Sequence, residues 1–411
     1  MRLRLRPSFK QISENHGVYL LRAGFKYAYF EHFEYSSRVF FNIPDITLSK
    51  DFQLDDELKK ELQKAKALGD WIAAPGNFQR PSSNTEDYDP TTGEINADHG
   101  ARGRTALDAL TFSAIEGFYK NVRAGDLVVV PGPGGISSRV LIGEIEEEYD
   151  GQTTTIVNTE FGGEHKYPAL KVKWLSTNVL RKDFSIKAYK AFGYNRVWHQ
   201  LARSVRIEIY DHAYGEYSVG EASAINVRID EPNAEIGNDW DVDSLSALEI
   251  QQLILYFSGA YEAIKAGAME DFAQLSLYDA LATNYVRGHP LVWESTVHSP
   301  GLMTFRDASD TLKCFFIAVM LGVGAHAGAA DGNPHDIEVH VVPWDTIPEQ
   351  CAPELEQKVS DYLRLINVDV WMKNCQIQKE AQGRISGSPT SEMGVEQLDE
   401  PANAQLVQND P

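Results

Sequence analysis

Cysteine is scarce in this chain: Cys314, Cys351 and Cys375 are the three in 411 residues. They stand too far apart for a Cys-x-x-Cys metal or redox pair. So low a content also argues against a disulfide-framed secreted scaffold, and a reducing cytoplasm is the natural setting. Positive charge is short as well. Lys and Arg number 38 against 59 Asp and Glu, a formal net charge of −21. Nonspecific binding to a phosphate backbone is driven by clustered Lys and Arg. The chain as a whole is therefore no general nucleic-acid coat, although a local basic patch is compatible with the total.

Long apolar runs are missing. The most apolar stretch, Cys314–Ala330, is interrupted by His326 and three glycines. It is short for a membrane span and reads as a buried core helix. The N-terminus, MRLRLRPSFK, is basic, but no apolar run follows it, so it does not read as a signal peptide. Familiar signatures are absent too. Gly132–Gly135 lacks the Gly-Lys-Ser/Thr ending of a phosphate loop and reads as a hairpin turn. No Rossmann glycine pattern follows a strand. Ser299-Pro300-Gly301 is a turn and not the Gly-x-Ser-x-Gly elbow of a hydrolase. Cys314, inside an apolar helix, reads as an inert core thiol. No internal repeat is visible.

The length fits two or three domains, and an apolar share of 43% is enough for real cores. The most informative stretch is 124–175. Three β-rich runs lie there, Asp126–Pro131, Ser138–Ile145 and Ala169–Leu175. The first two flank the Gly-rich turn, as in a hairpin. Val128–Val130 is a continuous apolar run, as in a strand buried on both faces, whereas Lys171–Leu175 alternates. Together they predict a small, strongly curved sheet or barrel.

Around it, Val18–Arg22 and Arg38–Asn42 read as strands and Leu54–Leu68 as an amphipathic helix. Residues 69–105 read as a long inserted loop, Ala106–Val122 as a helix, and Ser185–Ala202 as an aromatic helix. In the second half, Val205–Tyr210 and Ala224–Ile229 read as strands, and 230–243 as an acidic linker. Helices are expected at Ser244–Ala266, Met269–Val286, Ala308–Gly322 and Glu354–Glu380, and strands at Leu291–Val297 and Asp336–Val342. From Gly383 to Pro411 large apolar residues are few, and the tail is expected to be disordered.

Elements of the first half stand in a telling order. Arg22-Ala23-Gly24 follows a strand, and a second strand ends near Phe41-Asn42. Then come a helix, Ala124-Gly125-Asp126-Leu127-Val128-Val129, Leu141-Ile142-Gly143-Glu144-Ile145 and Val172-Lys173-Trp174-Leu175. From Arg4 to about Ala202 this resembles the PUA-like, EVE-related N-terminal domain of Mrr-type modification-dependent restriction proteins. The resemblance implies a β pseudo-barrel that holds a flipped, modified base in an aromatic-lined pocket, as a sensor in prokaryotic antiviral defence. Extruding a base costs a few kcal/mol, offset by stacking and edge hydrogen bonds. At Phe41-Asn42-Ile43-Pro44, where related domains carry a Gly-Trp pair, this sequence differs. Trp71, in the inserted loop, is the substitute stacking residue that the reading offers.

The candidate base-binding residues are thus Asn42, Phe41, Trp71 and Trp174, with Phe78, Tyr88 and Asp70 nearby in sequence. Trp174, between strand positions that alternate, reads first as barrel core. The candidate phosphate contacts are Arg80, Arg102, Arg104, Arg139, Arg181 and Lys182. In the second half, Asp336, Glu338 and His340 would share one face of a strand and could bind a divalent metal. A nuclease of the associated fold needs a Lys where His340 stands. No residue is therefore assigned to catalysis, and no metal or cofactor is expected.

The expected fold is mixed α/β (α+β): a PUA-like pseudo-barrel at 1–203, an α+β domain at 204–382 and a disordered tail at 383–411. The expected function is a cytoplasmic sensor of a modified nucleobase or nucleotide with a C-terminal relay or effector domain. The alternatives are a divergent modification-dependent nuclease and a non-catalytic interaction subunit. The partners are modified DNA or a nucleotide, or a defence-operon protein or a second copy, and no membrane.

Overall fold

The computed structural model describes residues 2–6, 10–24, 27–73, 88–89, 94–95, 101–159, 163–193, 196–220, 222–229, 240–289, 291–295, 301–307, 310–327, 333–341, 350–382 and 394–397. In chain order, the first elements are β1 (Arg2–Arg6), β2 (Lys10–Ile12), β3 (Val18–Leu21), α1 (Phe30–Ser36), β4 (Arg38–Phe40) and α2 (Asp56–Ile72). Next come β5 (Tyr88–Asp89), β6 (Glu94–Ile95), α3 (Ala101–Lys120), β7 (Leu127–Pro131), β8 (Arg139–Ile145), β9 (Thr154–Thr159) and β10 (Gly163–Leu180). Then follow α4 (Ile186–Phe192), β11 (Trp198–Gln200), α5 (Arg203–Ala213), β12 (Glu216–Val219), β13 (Ala222–Ile229) and α6 (Trp240–Lys265). The rest are α7 (Met269–Phe272), α8 (Leu277–Leu281), α9 (Asn284–Arg287), β14 (Val292–Ser295), β15 (Gly301–Asp307), α10 (Thr311–Ala327), β16 (Glu338–Val341), α11 (Ala352–Leu365), α12 (Val368–Gln382) and β17 (Gly394–Gln397). The architecture is mixed α/β. The chain divides into two compact units, Asn15–Ala213, and Met1–Glu14 together with Tyr214–Pro411.

In the unit Asn15–Ala213, a seven-stranded sheet runs β11-β3-β7-β8-β10-β4, with β9 paired to β10. β10 is its hub. Gly163–Pro168 pairs β9, Ala169–Lys171 pairs β4, and Val172–Leu180 pairs β8. The register slips between Trp174 and Ser176 and again before Val179. Such bulges bend a strand and raise its twist, so the sheet curls into a half-barrel. Gly143 pairs with Trp174 at the tightest point. A Cβ there would stand 2.2 Å from Val172 Cγ1, which only glycine avoids.

β7 lies between β3 and β8, and all five of its residues are buried. This is why Val128–Val130 reads as an unbroken apolar run. Its entry is pinned by Asp126, whose carboxylate accepts the Gly17 N–H at 2.8 Å and the Arg123 N–H at 2.9 Å. The Gly-Asp-Leu-Val motif is therefore a structural clamp between the starts of β3 and β7. Leu62 and Ala65 of α2 and Ile115, Phe118 and Tyr119 of α3 close the core on Phe41, Val130 and Leu141.

The other unit contains one sheet ordered β14-β15-β13-β12-β2 and a second ordered β16-β1-β17. Its core centres on α10, where every residue from Cys314 to Leu321 is buried among α6, α11 and α12. Among the described residues no helix is long and apolar enough to cross a membrane. Burial pushes the thiols of Cys314 and Cys375 up to about 12, as befits core thiols.

Several expectations about local structure are corrected. Val205–Tyr210 is helical, within α5. Its alternation of apolar and charged residues mimics a strand, but the buried Val205, Ile209 and Ala213 lie four residues apart, the spacing of one helix face. The aromatic helix expected over Ser185–Ala202 stops at Gly193, which caps α4, and Trp198–Gln200 pairs with β3 instead. The helix expected over Met269–Val286 is three short ones, because the Ser276 side chain caps α8 and Thr283 starts α9. Glu354–Glu380 is broken at Ile366-Asn367. There Asn367 Oδ1 accepts the N–H groups of Asp369 and Val370 and starts α12.

The N-terminal segment also belongs elsewhere. β1 runs parallel to β16, and β2 parallel to β12, so residues 1–14 group with the second half. α5 packs on α4, β8 and β10, which moves the first unit's end from residue 203 to Ala213. Within the tail expected to be disordered, Gly394–Gln397 is a strand paired with β1; the rest lies outside the described residues. Most of the inserted loop 69–105 also lies outside them, apart from the ends of α2 and α3 and the β5–β6 pair.

Candidate functional site

A cleft of about 400 Å³ opens in the first unit between α3 and β11. Phe41, Ala114 and Gly117 line it with Trp198, and polar groups come from Thr111, Ser113, Asn121, Arg196, His199 and Gln200. Its aromatic residues are fixed by neighbours. The Trp198 ring stacks on Tyr19 at 4.6 Å and stands perpendicular to Phe118 at 5.0 Å. Phe41 packs edge-on against Phe118 at 5.4 Å. A rigid aromatic floor loses little entropy on binding a planar ligand.

The rim is polar for a topological reason. β11 is an edge strand that pairs only with β3 in the sheet order. The Arg22 N–H donates to the Val197 carbonyl and the Leu201 N–H to the Val18 carbonyl. By the alternation of an antiparallel ladder, the N–H and C=O groups of Trp198 and Gln200 then turn away from β3. The exposed Asn121, Arg196 and Gln200 side chains add donors and acceptors.

His199 is half-buried at this rim. Burial lowers its pKa below the ordinary 6.5, and the charges of Arg196 and Arg22 push the same way. Burial alone lowers His32, which bonds Thr155 Oγ1 at 3.1 Å. A histidine of depressed pKa takes up its proton less readily folded than unfolded. Its stability contribution is complete above 6.5 and is lost as pH falls below that value. The urea midpoint is therefore expected to drop between about pH 7.5 and about pH 5, and to drop less in the His32→Gln/His199→Gln variant. Equal drops in both proteins would show that these imidazoles do not carry the effect.

The sequence-derived candidates are dispersed. Phe41 lines the cleft, buried to 1% exposure. Asn42 turns into a buried polar chain: its Oδ1 accepts the Tyr29 hydroxyl at 2.8 Å and its Nδ2 donates to Asp70 at 3.0 Å. Tyr29 continues to the Tyr167 hydroxyl at 3.0 Å, and Lys66 pairs with Asp70. Burial raises both tyrosines, Tyr167 to about 12. Gly69 lets α2 approach, since a Cβ there would stand 2.3 Å from Asn42 Oδ1. Trp174 donates its indole N–H to the Phe33 carbonyl at 3.1 Å and packs on the core. Trp71 falls within α2, but its side chain lies outside what is described, as do those of Arg102 and Arg104 in α3. Arg80 and Phe78 lie outside the described residues, and Tyr88 pairs with Ile95 in the β5–β6 ladder.

Two of the candidate phosphate contacts are committed to the fold. Arg139 pairs with Glu34 at 2.6 Å and Glu31 at 3.4 Å, which raises its pKa. Arg181 is buried and donates to the Gly132 carbonyl at 2.7 Å and the Tyr27 hydroxyl at 3.1 Å. Lys182 is exposed. In the second unit, Asp336 sits in the 3-10 turn Pro334–Asp336, because Asn333 and Pro334 set a cap before the strand. It does not join Glu338 and His340 on β16. His340 pairs instead with Glu338 at 3.3 Å and Glu356 at 3.2 Å. Among the described residues no group of three or more His, Cys, Asp or Glu is placed to hold a metal.

One constellation had no sequence signal. Lys313 of α10, 2% exposed, pairs with Glu262 of α6 and Asp307 of β15, each at 3.2 Å. Asp310 extends the cluster to Lys265 at 2.9 Å and the Tyr261 hydroxyl at 3.2 Å. The cleft residues Asn121 and Gln200 were missed for a similar reason, since only tertiary contact brings α3 and β11 together. No family model, curated protein or solved structure matches the chain.

Proposed function

We propose that the unit Asn15–Ala213 is a reader of a modified nucleobase or nucleotide, and that the second unit relays the bound state. The observation that carries this reading is the cleft. It has a fixed aromatic floor at Phe41 and Trp198, an amide rim at Asn121 and Gln200, and a cation at Arg196. Its volume of about 400 Å³ is ample for one base. A base in it would pack against the small part of Trp198 that is exposed, 8%, and gain edge hydrogen bonds worth about 1 kcal/mol each. The curled sheet agrees with the PUA-like resemblance. A defence setting follows from that resemblance alone.

The test is titration of the full chain with unmodified and modified nucleosides and nucleotides, followed by calorimetry. One modified base is expected to bind selectively. Asn121→Ala and Gln200→Ala are each expected to weaken it about fivefold, the worth of roughly one edge hydrogen bond, with unfolding unchanged. Absence of binding by every nucleoside and nucleotide at millimolar concentration would end this reading.

A further inference from the structure

We infer that the outer face of α4 is a phosphate-binding track for a single strand of nucleic acid whose base enters the cleft. The inference rests on the base-reading proposal above. In a chain of net charge −21, the segment 181–196 runs the other way: Arg181, Lys182, Lys187, Lys190 and Arg196 stand against Asp183 alone.

The helix itself sorts these charges. α4 buries Ala188 and Phe192, and the Phe192 ring packs on Phe184 at 5.0 Å. Ile186, Lys187, Tyr189 and Lys190 are left on the outer side, with Ile186 74% and Tyr189 36% exposed. Lys187 and Lys190 are one turn apart on one face. Among the described residues, no acidic side chain pairs with Lys182, Lys187, Lys190 or Arg196, in contrast to Arg139. The nearby carboxylates are turned to local bonds. Asp183 accepts the Leu180 N–H at 2.7 Å, and Glu208 holds Ser185 through its N–H at 2.9 Å and its hydroxyl at 2.6 Å.

The end of α4 is tied to the cleft wall. At the end of α4 the Gly193 carbonyl accepts Arg22 Nη2 at 3.1 Å. The Arg22 backbone in turn donates to Val197, next to Arg196 and Trp198 in the cleft wall. Cations at successive positions hold phosphates and set register, while the cleft reads a base. Tyr189, 36% exposed on the flank of the same helix, offers a ring on which a flanking base stacks. An acidic peptide would also meet the charge, but it would gain nothing from the adjoining cleft.

The experiment measures binding of the full chain to single-stranded oligonucleotides, with and without modified bases, alongside the matching nucleosides. Three phosphate contacts, at Lys187, Lys190 and Arg196, predict a salt slope of about −2. The affinity then falls roughly 20-fold between about 50 mM and about 200 mM salt. Lys187→Glu/Lys190→Glu is expected to lose at least about tenfold in oligonucleotide affinity, to flatten the slope to about −0.7, and to bind nucleosides as before. Oligonucleotide affinity equal to that of the nucleoside, or unchanged in the double variant, overturns the track and leaves the cleft reading standing. A salt-dependent, variant-sensitive interaction blind to base identity and to Gln200→Ala keeps α4 as a phosphate contact but overturns both the cleft reading and the entry of a base from this track. No oligonucleotide binding at all, including the case in which α4 docks an acidic protein, overturns the track.

Discussion

Lys313→Met is expected to lower the stability of the second unit by about 3–5 kcal/mol, the usual cost of removing one partner from a buried ion cluster. The ammonium is 2% exposed and is shared at 3.2 Å by Glu262 and Asp307, each with a side chain 9% exposed. Without it, Glu262 keeps the longer contacts to Lys265 at 4.0 Å and His289 at 3.9 Å, in an interior that solvates carboxylates poorly. Restoring the charge balance should recover most of the loss, because the cluster's net worth is small beside the cost of breaking it. The triple variant Lys313→Met/Glu262→Gln/Asp307→Asn is therefore expected to unfold at a urea midpoint between those of the wild type and the single variant. A single variant as stable as the wild type would mean that the cluster is hydrated and carries no such strain.

Asn42→Ala is expected to cost about 1–3 kcal/mol in the first unit. It removes one acceptor and one donor from a buried chain. The Tyr29 hydroxyl loses Asn42 Oδ1 but keeps Tyr167, and Asp70 loses Asn42 Nδ2 but keeps Lys66, so the loss is two hydrogen bonds worth about 0.5–1.5 kcal/mol each. Gly69→Ala acts on the same joint from the side of α2 by forcing a methyl against Asn42. The comparison with Gln200→Ala separates a residue that builds the site from one that meets a ligand. The Asn42 variant should move the urea midpoint. The Gln200 variant, exposed on the rim, should move only ligand affinity. A normal midpoint with lost binding in Asn42→Ala would place this amide on the ligand instead.

The strands of the curled sheet were the legible part. Period-two and all-apolar runs survive in the sequence because a strand's neighbours are specified by the same side chains that form its faces. Leu127–Pro131 and Arg139–Ile145 pair around the Gly-rich turn as expected. Where two periods overlapped, the local pattern misled. Val-Arg-Ile-Glu-Ile-Tyr satisfies a strand's alternation, yet the core selects the helical face of Val205 and Ile209. The breaks at Ser276 and Asn367 were written in capping residues that an unbroken apolar period conceals. Candidate cations chosen by position fared unevenly, because sequence shows a charge but not its partner. Glu31 and Glu34, more than a hundred residues before Arg139, decide what that guanidinium does.

The sequence by itself determined the acidic total, the scarcity of cysteine, the apolar helix over Cys314–Leu321 and the strands around Gly132–Gly135. These are local or compositional properties, set by side-chain type and spacing. Tertiary structure alone decided that β1 and β2 belong with the second half, that Lys313 meets Glu262 and Asp307, and that α3 and β11 face each other across a cleft. Each of these joins residues from distant parts of the chain. Such meetings follow from strand pairing, curl and core packing, which no local period encodes.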